Sequence, residues 1–351
     1  MPQNISEIDK NFTVQTKIEK EGIRFYDPKL SPFKVYGLFH DGKKWCRLPE
    51  DVAKTVSEGV LFLHDNTAGG RIRFKTDSPY VAINTIMHDM CKLSECPLTG
   101  TAGFDIYTDG EYEGTFIPDY YAKGGFEGIR ELGSRKMREI TINFPIYSKV
   151  TEIYVGLADD AEILPPTPYK YERPVVYYGS SITQGGCASR PGATYSAILA
   201  RELDTNFINL GFSGKAMGEV EIAEYIKGLD MSVFVYDYDF NAPDLAHLEA
   251  THERMFKIIR EANPTLPIII MSKPKFYPSD PDLKRKEAIR RTYENSKAEG
   301  DENVYFIDGK ELMSIPGIEG TVDSTHPTDL GFYSMAQRIM PLLKEILEKQ
   351  T

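Results

Sequence analysis

"VVYYGSSITQGG", residues 175–186, decides how the second half of the chain is read. An apolar run closes on two tyrosines, and two serines then stand among glycines. A run that is apolar on both faces suits a strand covered by helices on each side, the habit of a parallel sheet. Gly179-Ser180-Ser181 then reads in one of two ways. It is either an ordinary turn, built from the residues turns use, or a nucleophile held at a strand end. Serine acts as a nucleophile only where a base removes its proton. The choice therefore rests on what the rest of the chain supplies.

Working outward, the same rhythm repeats. "VVYYG" is followed by the helical pattern "TYSAILARELD", "NFINLGFSG" by "EVEIAEYIKGL", and "MSVFVYDYD" by "LAHLEATHERMFKIIREA". "LPIIIMSKP", a helix through the 280s and 290s, "NVYFIDG" and a last helix complete the series. Phe332, Met335, Ala336, Ile339, Leu343 and Ile346 recur at helical spacing and form a core stripe. This half reads as an α/β three-layer domain on a parallel sheet.

Before it, from about residue 60 to 160, the chain is written in strands. "RIRFKTDSP", "YVAINTIMH", "REITINFPIY" and "VTEIYVGL" are short apolar or alternating runs, and "GFDIYTDGEYEGTF" turns on Asp109-Gly110, a hairpin signal. An antiparallel β-sandwich, jelly-roll-like, fits them. One short helix is expected in "PEDVAKTVSEG" (49–59). The proline-rich "PPTPYKYERP" (165–174) marks the linker, so the expected domains are 1–165 and 166–351.

The totals narrow the function. The 351 residues exceed what one core comfortably fills. A net charge of -11 repels phosphate backbones, so nucleic acid is not an expected partner. The basic run "DLKRKEAIRR" (282–291) reads as a solvated helix face. No stretch is long and apolar enough for a membrane span, and "MPQNISEIDKNF" lacks the basic start and apolar run of a secretory leader. A cytoplasmic protein is the expectation. Four cysteines do not make a disulfide scaffold, and Cys91 and Cys96 read as reduced, half-buried thiols. Edge strands of a sandwich could pair with a second copy, which makes a homo-oligomer a reasonable expectation.

Residues with chemistry gather at the ends of the expected parallel strands, where such sheets bind ligands. Beside Ser181 in "YGSSITQGG" stands "NLGFSGKA" (209–216), where Gly214 leaves its N–H free to approach a reacting oxygen. It is equally a common strand-to-helix loop. "YDYDFNAPD" (236–244) offers Asn241, either an amide donor for an oxyanion or a turn residue, with Asp244 capping the next helix. Asp237 and Asp239 are residue types that hold a divalent metal, but no histidine or further carboxylate stands at matching spacing. No metal and no cofactor are expected. "DSTHPTDLGF" (323–332) completes the set. Asp323 and His326, three apart, can share a hydrogen bond while the other imidazole nitrogen faces Ser181, as a serine–histidine–acid triad needs. Thr328 reads as the N-cap of the last helix.

On these blocks the half from about residue 170 resembles the SGNH (GDSL-like) hydrolases. Gly179-Ser180-Ser181-Ile182 stands where the family has Gly-Asp-Ser-Leu. The resemblance implies Ser181 as nucleophile, Asp323 and His326 as its acid and base, and an oxyanion hole from the Ser181 and Gly214 amides and the Asn241 side chain. Ser180 replaces the family aspartate, and "DFNAP" replaces the commoner Gly-x-Asn-Asp. The absence of G-x-S-x-G argues against the α/β-hydrolase fold. "GFDIY" (103–107) and "AGGRIRFKTDSP" (68–79) resemble the GxDLY-type β-sandwich that precedes one branch of these hydrolases. Members of similar organisation include carbohydrate O-acetyl esterases and some acyltransferases. The resemblance thus implies a serine esterase removing acyl, foremost acetyl, groups from esterified carbohydrate. The alternatives are an acyltransferase on the same site or a non-catalytic carbohydrate-binding protein. Gln184 and Arg190 are candidate substrate contacts, as are Tyr120 and Tyr121 with Phe126 in "PDYYAKGGFEG", where loop anchoring or core packing is the plainer reading.

Overall fold

The computed structural model describes residues 14–350, and the chain forms two compact units. The opening stretch read above for a leader lies outside the described residues. Among the described residues, the first unit takes 14–47, 65–168 and 189–192; the second takes 48–64, 169–188 and 193–350.

Two large antiparallel sheets build the first unit, beside a two-stranded one of Phe39–His40 and Trp45–Cys46. One runs, in spatial order, through Ile23–Tyr26, Lys149–Ala158, Tyr80–Asp89 and Glu127–Glu131. The other runs through Ile163–Leu164, Arg71–Thr76, Arg138–Asn143, Phe104–Thr108 and Glu111–Phe116, with Lys34–Tyr36 also paired to Arg71–Thr76. Side chains two apart on a strand share a face. Val81 and Ile83 from one sheet accordingly meet Ile72, Phe74, Phe104, Ile106, Ile140 and Ile142 from the other in one core, which defines a sandwich. Asp109 and Gly110 both take positive φ, 52° and 86°, as the expected two-residue hairpin requires.

The second unit is a five-stranded parallel sheet in the order Thr205–Gly211, Tyr171–Gly179, Val233–Asp237, Ile268–Met271, Val304–Ile307, with helices between successive strands. The stripe on the closing helix, Asp329–Glu348, is buried as expected. Among the described residues, no helix is long and apolar enough to cross a membrane.

The units do not divide at a single cut at 165/166. Residues 48–64 make two helices, Glu50–Val56 and Glu58–Leu63, where one was expected. Ser57 separates them. Its backbone is extended, and its hydroxyl accepts from the Val60 N–H at 3.2 Å, capping the second helix. Leu48, Ala53, Val60 and Leu63 pack in the same core as Ile222, Ala223 and Tyr238, which assigns the segment to the second unit. Segment 189–192 joins the first unit through Asp105 of the "GFDIY" motif. That buried carboxylate accepts from the Gly192 N–H at 2.7 Å, from Asn143 Nδ2 at 2.7 Å and from Arg190 Nη1 at 3.4 Å. Burial pushes the Asp105 carboxyl above the usual range despite these donors.

Candidate active site

Strand Tyr171–Gly179 has Thr205–Gly211 on one side and Val233–Asp237 on the other. The chain steps first one way and then the other, so the carboxyl end of this strand is the topological switch point, where such sheets gather ligands. Register places Gly179 level with both Gly211 and Asp237. The chain then turns into a four-residue helix, Ser181–Gln184. The Ser180 hydroxyl accepts from the Ile182 N–H at 3.2 Å, a capping bond that its hydroxyl can make in place of the family aspartate. The helix lies hard against the strand ends. A Cβ on Gly179 would stand 2.3 Å from the Asp237 carbonyl oxygen, and one on Gly211 2.2 Å from the Gln184 nitrogen. Only glycine permits that approach.

His326 arrives on the loop before helix Asp329–Glu348, which a hydrogen bond from the Val322 N–H to the His326 carbonyl closes at 2.8 Å. Asp323 organises the loop with both oxygens. Its Oδ1 accepts from the N–H groups of Thr325 at 3.0 Å and His326 at 2.7 Å, and its Oδ2 lies 2.8 Å from His326 Nδ1. The far nitrogen, Nε2, lies 2.9 Å from Ser181 Oγ. With Nδ1–H donating to Asp323, Nε2 carries the lone pair that accepts the serine proton. Partial burial pushes the Asp323 carboxyl up, but the His326 backbone and ring outweigh it and hold the group below its ordinary range. It therefore stays ionised opposite the imidazole. Thr328 does occupy the N-cap position, but its hydroxyl makes no capping bond.

Two further loops stand at neighbouring strand ends. Gly214 has φ of 69°, and the space where its side chain would stand is open for at least 4 Å. Asn241 lies beyond Val233–Asp237, with its Oδ1 buried and met by no donor among the described residues. Asp244 caps the next helix by accepting from the His247 N–H at 2.7 Å, as expected.

The candidate substrate contacts fare differently. Gln184 is fully buried, and its Oε1 accepts from the Ser213 N–H at 3.0 Å, so it props the Gly214 loop and presents no open surface. Arg190 belongs to the first unit. Its Nη1 donates to Tyr107 Oη at 2.6 Å and to Asp105, and its guanidinium lies 4.1 Å from the Tyr112 ring centroid, so its charge is already engaged. Tyr120 and Tyr121, also in the first unit, are 58% and 81% exposed and form a T-shaped pair. Phe126 packs against the sandwich core beside Phe104.

Sequence reasoning missed what holds the Ser181–Gln184 helix down. Thr183 Oγ1 donates to Asp237 Oδ2 at 2.8 Å, Tyr195 Oη donates to the same oxygen at 3.3 Å, and Asn209 Nδ2 donates to the Thr183 carbonyl at 2.7 Å. Asp237 was a metal candidate by composition; its neighbour Asp239 turns instead to Arg285, at 2.8 Å. Burial pushes the Asp237 carboxyl from 3.8 up to about 7, against the pull of the two hydroxyls. Between those values the folded chain keeps a proton that the unfolded chain has lost, so stability falls as pH rises across that window. Asp237→Asn removes this contribution. Calorimetry should show a smaller drop in Tm between about pH 5 and pH 8 in the variant than in wild type. Equal drops would mean that Asp237 is already ionised in the fold at the lower pH.

Comparison with known proteins gives the family. Residues 172–344 match the GDSL-like lipase/acylhydrolase family, and residues 23–163 match the GxDLY N-terminus of SGNH-hydrolase-type esterases. The chain belongs to these SGNH (GDSL-like) hydrolases, and it is a hydrolase acting on esters. A Bacteroides ovatus protein of the GDSL-like lipase type is 29% identical, with a TM-score of 0.83 over 93% of this chain and 98% of its own. A salicylyl-acyltransferase from a tetracycline biosynthetic pathway is 22% identical, with a TM-score of 0.75 over 92% of this chain and 98% of its own. An acetyl xylan esterase from the rumen bacterium Butyrivibrio proteoclasticus is 14% identical, with a TM-score of 0.61 over 93% of this chain and 99% of its own. Among curated proteins none matches the chain.

Proposed function

We propose that this protein is a serine esterase that removes acetyl groups from esterified carbohydrate through an acyl-enzyme. One observation carries the reading: the unbroken chain from Ser181 Oγ through His326 to Asp323, with both links under 3 Å. As Oγ attacks the ester carbonyl carbon, its proton passes to Nε2, and Asp323 steadies the imidazolium. The carbonyl oxygen becomes an oxyanion beside the Ser181 and Gly214 N–H groups and the Asn241 amide. Collapse expels the alcohol, which takes the proton from Nε2. Water then attacks the acyl carbon, gives its proton to Nε2, and releases the acid with Ser181 restored. The carbohydrate part of the reading is supported by the shared fold of an acetyl xylan esterase and by the exposed Tyr120–Tyr121 pair, aromatic surfaces suited to sugar rings.

Transfer of the acyl group to an alcohol uses the same acyl-enzyme, and the shared fold of a salicylyl-acyltransferase favours keeping it as the second reading. A serine-directed fluorophosphonate should label wild type and leave Ser181→Ala unlabelled. Wild type should also release acetate from acetylated oligosaccharides, with no rise in ester product when an alcohol acceptor is added. Equal labelling of both proteins would remove Ser181 as nucleophile. Release from long acyl chains alone would displace the sugar-acetate substrate.

A further inference from the structure

Asn241 sits in a tight turn, Asp239 to Ala242, closed by the Ala242 N–H donating to the Asp239 carbonyl at 3.1 Å. One backbone bond fixes such a turn poorly. A second element grips it: helix Asp280–Ala298, from the basic run that the sequence presents as a solvated face. Arg285 turns inward there. Its Nε donates to Asp239 Oδ1 at 2.8 Å, and its Nη2 donates to the Ala242 carbonyl at 3.0 Å and to the Asp239 carbonyl. One planar guanidinium therefore holds the residues on either side of Asn241 in sequence, a task for which a rigid fork of donors is suited and a point charge is not. The Arg285 side chain is only 13% exposed, and that of Asp239 1%.

The rest of the turn is held by Lys273, which is itself tied to that helix. The second oxygen of Asp239 accepts from the Lys273 N–H at 3.1 Å. Lys273 Nζ lies 4.3 Å from the Phe240 ring centroid and donates to Asp282 Oδ1 at 2.9 Å. Every residue flanking Asn241 in the turn thus has an external anchor, while among the described residues the Asn241 Oδ1 has none.

We propose that Arg285 is a positioning residue for Asn241, fixing the turn so that the amide stands where the oxyanion forms. This rests on the reading of Asn241 as an oxyanion donor. Arg285→Lys keeps a charge beside Asp239 and loses the fork. Its kcat on an aryl acetate should fall about ten- to a hundredfold, the scale of a misplaced catalytic group, with KM within about twofold because the oxyanion exists only past the ground state. The same change made in Asn241→Ala should have almost no further effect, since there is no longer a donor to place. A purely structural role would instead lower kcat by the same factor in both backgrounds. Should Arg285→Lys lose its cooperative unfolding, Arg285→Met combined with Asp239→Asn leaves no lone buried charge and gives the same comparison. Wild-type kcat in the Arg285 variant, or equal losses in both backgrounds, overturns the proposal. Normal turnover in Asn241→Ala alone would instead overturn the reading of Asn241 beneath it.

Discussion

His326→Ala is expected to lower kcat for ester hydrolysis about ten-thousandfold or more, with the fold intact. At neutral pH a serine hydroxyl holds its proton, and among the described residues the imidazole 2.9 Å away is placed to take it. The loss should be this large because one group serves four times, as base and then acid in each half of the cycle. The fold should survive. His326 lies on a loop that is also closed by its own backbone, through the Val322 N–H to its carbonyl and through its N–H to Asp323 Oδ1, and alanine keeps both bonds. The check is kcat measured beside thermal unfolding. A cooperatively folded variant with turnover within tenfold of wild type would show that Ser181 is activated by something else.

Asn241→Ala should cost about a hundred- to a thousandfold in kcat while KM stays near its wild-type value. That split separates an oxyanion donor from a group that merely binds substrate, since a donor to the oxyanion acts only once the carbonyl oxygen has become charged. Truncation also leaves no protein donor stranded, because the buried Oδ1 has none to lose. Steady-state kinetics on one short aryl ester decides it. Turnover near normal would take Asn241 out of the oxyanion hole.

Much of this was legible in the residues themselves. Parallel strands buried on both faces announce themselves as unbroken apolar runs, as "VVYYG", "SVFV" and "PIIIM" do. Asp109-Gly110 announced its hairpin because two consecutive positive φ angles are tolerated by few residue pairs. Asp323 and His326 were legible because their contact is local, three residues apart. What escaped were pairings between distant residues. Nothing near Gln184 reveals that its amide meets Ser213, 29 residues on, and nothing near Arg285 points to Asp239, 46 residues back. Composition marks both as surface types, and only the fold reverses that. The second helix at Glu58–Leu63 escaped for another reason. The expected stretch ends at Gly59, and a glycine there reads as a helix end, whereas Gly59 lies inside the second helix that Ser57 caps.

The helices of residues 48–64 have a consequence for how the molecule is made. On the ribosome, Leu48, Ala53, Val60 and Leu63 emerge long before Ile222, Ala223 and Tyr238, the side chains with which they share a core. Most strands of the sandwich, from Arg71–Thr76 to Ile163–Leu164, are synthesised in between. The nascent chain must therefore carry an unmated oily surface through most of its elongation, a burden of aggregation risk that falls on this segment and on the chaperones that meet it.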